Sequence, residues 1–214
     1  MKETIYSIPI NESFEISDGC CPVCRLHARL NEDALEYTLG PAMMEPDTRE
    51  STNEQGFCAE HLTELMGRQK ALPLALVLQT HMQELMRRPA LLEKADSCYI
   101  CGRVNGFLEL YYSNIIYLWR AQPDFKRLFD TQKYICRPHI AGLLTAAERC
   151  LPKKERAAFA ASMTEKATAV IKELEQSLAV FVRSFDHRFA GEELGEHKAA
   201  SRRAADFMSG GKAL

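Results

Sequence analysis

The sequence predicts an all-α protein built on two tandem Cys3His metal-binding repeats and a long C-terminal helix, and three observations carry that prediction. Apolar residues recur at three- and four-residue spacing along most of the chain. No stretch shows the alternation of apolar and polar residues between turn signals that marks a strand. Finally, Cys21-Pro22-Val23-Cys24 and Cys58-Ala59-Glu60-His61 return as Cys98-Tyr99-Ile100-Cys101 and Cys136-Arg137-Pro138-His139, offset by about 77 to 78 residues.

Each copy supplies three thiols and one imidazole, the donor set of a closed tetrahedral zinc site. The expected quartets are Cys21, Cys24, Cys58 and His61 in the first copy, and Cys98, Cys101, Cys136 and His139 in the second. Two residues three apart at the start of a helix project from one face and can reach one ion. Pro22 and Pro138 suit a first helical turn, whose amides have no intrahelical partner. The positive end of the helix dipole also favours the thiolate that a metal requires. Two zinc ions per chain are the expected cofactors, with iron-sulfur as the alternative. Small buried cysteines, disulfides or a redox Cys-x-x-Cys are the readings without metal. Haem attachment is excluded, because Arg25 and Gly102 follow the two pairs where a histidine would stand.

At 214 residues, 46% apolar and 26% charged, the chain has the composition of a soluble globular protein with a real core. Its start lacks the apolar core of a signal peptide, and no later run is long enough to span a bilayer. The expected location is therefore the cytoplasm, where thiols stay reduced and serve as ligands more readily than as disulfides. The net charge of −2 conceals an asymmetry: through Met66 there are 13 Asp and Glu against 4 Lys and Arg, and afterwards 16 against 23. Neither part concentrates a basic stripe with interleaved aromatics, which argues against nucleic acid.

Along the chain, residues 1 to 19 read as an irregular leader packed on the body through Ile5, Ile8, Ile10, Phe14 and Ile16. Residues 20 to 95 form the first repeat. Its opening helix runs from Cys21 towards Leu39 and ends at Gly40-Pro41, and a polar connection from Met43 to Gly56 follows. A short helix then carries Leu62, Leu65 and Met66. Leu74 to Met86, apolar on most sides, reads as a core helix, with His81 as a hydrogen-bonded core residue. Residues 96 to 152 form the second repeat, opening on the capping pair Asp96-Ser97. Phe107, Leu110, Tyr111, Ile115, Leu118 and Trp119 give its first helix a packing face, and Phe125, Leu128 and Phe129 a short second one. From Lys153 to about Phe189, within residues 153 to 190, apolar positions every three or four residues predict one helix of roughly 55 Å that covers both repeats or pairs with another subunit. Residues 191 to 214 are a polar tail with a weak helix from Lys198 to Met208. The whole is expected to form one compact domain.

With these residues assembled, the chain resembles an uncharacterised prokaryotic family, domain of unknown function six-zero-six-two. The resemblance rests on Ile8-Pro9-Ile10-Asn11-Glu12, the paired cysteine and histidine motifs, Met44-Glu45-Pro46-Asp47, Gly56-Phe57 before Cys58, and Phe185-Asp186-His187-Arg188. It implies relatives and no established activity. The resemblance also implies Tyr in many relatives at the place of His187, which speaks against that imidazole being a required ligand.

Four protein donors per ion leave no position for substrate, so the expected function is that of a zinc-binding scaffold that binds proteins or regulates them, with no catalytic residue. The expected partner is a protein, including a second copy through the long helix, and not a membrane. The alternative is a thiol redox sensor or metal-dependent enzyme using Cys20, which lies beside the first site where the other copy has Ser97; Cys150 is a further unpaired thiol. The chain lacks the nucleophile-elbow, phosphate-loop, zincin and dinucleotide motifs. Glu45, Asp47, Arg49, Asp186 and Arg188 are candidates for a shared polar cleft, with surface ion pairs as the default.

Overall fold

A computed structural model describes residues 7–16, 18–93, 97–189 and 193–211. Among these there is no strand, and the fold is all-α. The α-helices are α1 (Ser7–Glu15), α2 (Pro22–Thr38), α3 (Pro46–Gln55), α4 (Ala59–Gly67), α5 (Ala71–Arg87), α6 (Tyr99–Ala121), α7 (Pro123–Thr131), α8 (Arg137–Cys150), α9 (Lys153–Arg183) and α10 (Ala200–Ser209). The chain divides into two compact units, one joining Met1–Ala28 to Glu109–Leu214 and the other the continuous stretch Arg29–Leu108. The divisions fall within α2 and α6.

The first unit is organised by aromatic rings. Phe14 of α1 packs between Phe125 and Phe129 of α7, with centroids at 5.2 and 5.7 Å, and Phe129 meets Phe159 of α9 at 5.8 Å. Trp119 of α6 closes the row against Phe159 at 5.0 Å, edge to face. Such pairs contribute about 0.5 to 1.5 kcal/mol each beyond area burial, so this row is a principal anchor of α1, α6, α7 and α9. Ser7–Glu15 is thus a helix within the stretch where an irregular leader was expected. Its buried positions Ile10 and Phe14 are four apart, so one face meets the core while Ile8 and Ile16 are exposed. Ile5 lies outside the described residues.

The long helix α9 has 31 residues, about 46 Å at 1.5 Å per residue, and stops short of Phe189. Ser184 ends it by turning its hydroxyl back to the Phe181 carbonyl at 2.7 Å. The buried face of α9 carries Phe159, Met163, Val170 and Leu174 and packs on α8 and α10. The weak helix expected near the C-terminus is α10, held by buried Ala200 and Phe207.

In the second unit Leu35 and Leu39 of α2, Leu65 of α4, and Ile100 and Val104 of α6 form a core that includes Cys98. Two expectations are corrected here. The polar stretch after Met43 contains a ten-residue helix, α3, with Pro46 and Asp47 in its first turn. It buries Thr52 and is tied to α5 by polar bonds: Arg49 donates to the Thr80 hydroxyl at 2.8 Å, Thr80 donates to the Asn53 side chain at 2.7 Å, and the His81 Nδ1–H donates to the Asn53 carbonyl at 2.7 Å. Helix α5 is not a core helix. Only Val77 and Glu84 are buried on it, while Leu72, Leu76, Met82 and Met86 face outward.

Gly56 ends α3 with φ +60° and ψ −152°, a conformation that only glycine adopts readily. A Cβ there would sit 2.7 Å from Nε2 of His81. The Gly56 carbonyl accepts the Tyr99 amide at 3.0 Å, and the Gln55 carbonyl accepts the Ser97 hydroxyl at 2.7 Å, so this turn lashes the start of α6 to the approach to Cys58. Gly56→Ala is expected to destabilise the protein by about 2 to 3 kcal/mol, read from the denaturant midpoint; an unchanged midpoint refutes the constraint.

Candidate metal centre

All four donor pairs occupy the same local position. Cys58 and Cys136 are the N-cap residues of α4 and α8, and His61 and His139 stand three residues on. Cys21 and Cys98 immediately precede α2 and α6, with Cys24 and Cys101 in the first turns. The Cys101 amide points at the Cys98 sulfur at 3.5 Å. Each pair therefore presents both donors from one helix N-terminus, as the spacing predicts.

The pairing of these pairs differs from the expectation. One quartet is Cys21, Cys24, Cys136 and His139, and the other is Cys58, His61, Cys98 and Cys101; within each, the four donor atoms lie within 4.8 Å of one another. Every quartet thus takes its Cys-x-x-Cys from one copy of the repeat and its Cys-x-x-His from the other. Along the chain the inner quartet is nested inside the outer one. The outer belongs wholly to the first unit and the inner wholly to the second. The sequence did not reveal this, because nearly equal lengths of chain separate the Cys58 pair from the Cys24 pair before it and the Cys98 pair after it. Geometry decides: α2 carries the chain about 25 Å onward from its start, and His61 then bonds to Asn31, two turns past Cys24, at 2.9 Å.

In both quartets the imidazole turns Nδ1 inward. In the outer one it lies 3.5, 3.3 and 3.0 Å from the sulfurs of Cys21, Cys24 and Cys136, and the Cys24 and Cys136 sulfurs are 3.5 Å apart. In the inner one it lies 3.1, 3.4 and 3.3 Å from Cys58, Cys98 and Cys101, with Cys58 and Cys101 at 3.9 Å. A tetrahedron with Zn–S and Zn–N bonds of ordinary length has edges of about 3.8 Å between sulfurs and about 3.5 Å between sulfur and nitrogen. The donor sets match those edges to within a few tenths of an ångström, except for the shortest contacts within a Cys-x-x-His pair. Either cluster could hold a metal ion.

Electrostatics point the same way. Hydrogen bonding to Cys136 and Cys21, with burial, pushes the Cys24 thiol far up. The bond to Cys21 and then burial push Cys136 up to about 12, and burial with Cys98 alongside pushes Cys101 up to about 12. Burial opposes the thiolates of Cys21 and Cys58 as well. For Cys21 the bonds from Cys136, Cys24 and His139 outweigh it, and for Cys58 the amide of His61 and the thiol of Cys98 do. One thiolate is thus favoured in each cluster while Cys24 and Cys136 in one and Cys101 in the other are held protonated, and three thiolates together require a positive charge among them.

The outer quartet is buried throughout, whereas Cys58 and Cys101 of the inner one are half-buried. Sequence reading overlooked the groups that brace them. His61 presents Nε2 to the Asn31 side-chain oxygen, and the Asn31 amide donates to Glu64 at 2.8 Å, which fixes the ring with Nδ1 facing the sulfurs. Arg25, next to Cys24, donates to the carbonyls of Ser13 and Ile16 at 2.6 and 3.1 Å and to Asp18 at 2.7 Å, binding the end of α1 to the turn before Cys21. Tyr112 and His27 stand near the His139 ring, each with centroids at 6.2 Å.

The remaining candidates lie outside the quartets. Cys20 is exposed on a cavity of about 290 Å³ with Gln132, Lys133 and Tyr134, and burial and Asp18 raise its thiol pKa, contrary to what a reactive thiolate needs. Cys150 is exposed. His187 is solvent-facing, and Asp186 and Arg188 pair with each other at 2.6 Å on the surface. Glu45 accepts from Tyr37 and Thr48 in the other unit. Among the described residues no helix is long and apolar enough to cross a membrane.

The chain matches the model of a family of unknown function, DUF6062, over residues 1–93 and 88–213, which together take in all eight donors. It belongs to that family. It is also similar to an uncharacterised 23.9 kDa protein from the xynA 3′ region of Caldicellulosiruptor sp. (strain Rt8B.4), with 22% identity over 154 residues, covering 68% of this chain and 76% of that protein. No solved structure matches.

Pairs of Cys→Ser changes test the crossing. Cys21→Ser with Cys136→Ser is expected to abolish one metal site and leave the other, as is Cys58→Ser with Cys98→Ser, whereas Cys21→Ser with Cys58→Ser abolishes both. Metal content per chain reads the difference, and the reverse pattern restores pairing within each copy.

Proposed function

We propose that the two quartets bind structural zinc, two ions per chain, and that the protein is a cytoplasmic scaffold whose partners are other proteins. The observation that carries this is the completeness of each donor set: three sulfurs and one nitrogen, with distances that close a tetrahedron and no side left for substrate. A bound ion would neutralise most of the thiolate charge and hold two helix N-termini together in each unit. In the first unit those N-termini come from chain segments separated by the whole second unit. Structural zinc contributes on the order of 10 kcal/mol in small zinc-finger peptides, comparable to the total stability of a domain. No residue is assigned a catalytic role.

The protein-binding part of the proposal rests on apolar surface. Leu72, Leu76, Met82 and Met86 of α5 are exposed, as is Met66 on α4. Flexible, polarisable methionines are a common choice where a surface must fit a partner. The acidic balance of the first 66 residues gives no footing for nucleic acid.

Elemental analysis of protein purified anaerobically without added metal is expected to return about two zinc ions per chain. Chelation is expected to unfold it cooperatively, seen as loss of helical circular dichroism. Iron with acid-labile sulfide, or full helicity in metal-free protein, overturns the proposal. Asn31→Ala is expected to weaken the inner site alone by about 10- to 100-fold in a chelator competition. Equal weakening of both sites refutes the bracing role.

A further inference from the structure

The first unit carries a groove of about 530 Å³ between α8, α9 and α10, floored by Ala167, Ile171, Leu174 and Leu178 and walled by Ile140, Phe207 and Met208. Its lining is apolar apart from Arg137 and Glu175. Ile171 is 52% exposed and Met208 53%. The floor does not end with the groove. Ala167, Ile171, Leu178 and Val182 lie along one side of α9 at steps of four, seven and four, and Phe185 follows just beyond the helix end. Val182 is 67% exposed and Phe185 78%. The apolar strip from Ala167 to Phe185 is about 27 Å long, far more than a small ligand in the groove would cover. An occupant that covers it is an elongated one, a helix.

The charges restrict which helix. Arg137 and Glu175 make no ion pair among the described residues, and they carry opposite signs on the rim of one apolar surface. A partner that satisfies both needs a carboxylate and a cation flanking an apolar stripe, and this same surface presents that combination. In a two-fold pairing residue i of one copy meets residue j of the other and the reverse, so one contact type satisfies all four charges.

We propose that the α9 face is the interface of a homodimer, in which the α9 stripes of two copies pack together and Arg137 of each copy pairs with Glu175 of the other. This names the partner for the scaffold reading and rests on it in that respect, but it is read out by association and not by metal content, so either can fail alone. Weak, concentration-dependent association is expected of an interface built on a single helix strip.

The test is sedimentation equilibrium on the full-length, metal-loaded chain from about 1 to 200 µM, the range in which a small interface is populated. A monomer–dimer equilibrium is expected. Val182→Glu, at a position 67% exposed in the last turn of α9, is expected to raise Kd at least about tenfold with metal content and thermal midpoint unchanged. Arg137→Glu and Glu175→Arg are each expected to weaken association about 5- to 30-fold, and the double variant to return to within about threefold of wild type. A wild-type chain that stays monomeric throughout overturns the proposal and leaves the strip to a different helix. A dimer indifferent to Val182→Glu, or a double variant no better than either single one, overturns it as well.

Discussion

The structure depends on the convergence of helix N-termini in pairs. Each Cys-x-x-Cys or Cys-x-x-His sits where a helix leaves its first amides unpaired and points its positive dipole end, and two such ends meet in each quartet. Convergence of like dipole ends is unfavourable unless negative charge lies between them. Three thiolates in each quartet would provide that charge, and burial would permit it only with a cation among them. With a metal bound, local helix geometry, thiol ionisation and closure of each unit would be one coupled equilibrium.

Nesting gives the two closures different costs. The outer quartet spans up to 118 residues and the inner up to 43. The difference in loop-closure entropy is only about 0.9 kcal/mol, small beside the strength of a structural zinc site. Chain length therefore does not forbid the crossed arrangement, and once the inner quartet has formed, the outer loop is shorter still. What chain length leaves open, helix stiffness settles. Helices α2 and α6 run away from their own cysteines, so the Cys-x-x-His pair that follows each in sequence reaches the donors of the other copy.

The sequence was therefore informative about chemistry and uninformative about partnership. Donor identity and helix placement are local properties, written in three-residue spacings and in Pro22 and Pro138. Pairing is a property of the tertiary path, and two assignments with nearly equal loops satisfy the same motif. Similar reasons explain the other departures. Helix α3 was hidden because its stabilisation is polar, through Arg49, Asn53, Thr80 and His81, and leaves no apolar stripe to read. Helix α5 was misplaced in the core because an apolar face reads alike whether a neighbour covers it or not. Asn31 left no sequence signal, since nothing local distinguishes it from any exposed helical asparagine.

The two quartets have also diverged in how they are braced, although their donors are the same. Around the inner one the Tyr99 amide and the Ser97 hydroxyl reach the carbonyls of Gly56 and Gln55, so hydrogen bonds independent of the donor atoms tie the two donor pairs together. At the matching places the outer quartet has Pro22, which has no amide to give, and Cys20, whose thiol is exposed. Its donor pairs are brought together instead by burial and by the ring packing of Phe14 on α7, with Arg25 fixing the turn between α1 and α2. Both centres thus sit against apolar cores, and the inner one, whose Cys58 and Cys101 are half-buried, is tied in addition by the hydrogen bonds of this turn. The same donor chemistry therefore has one added support at the inner centre, and perturbing the turn at Gly56 would loosen that centre while leaving the outer one in place.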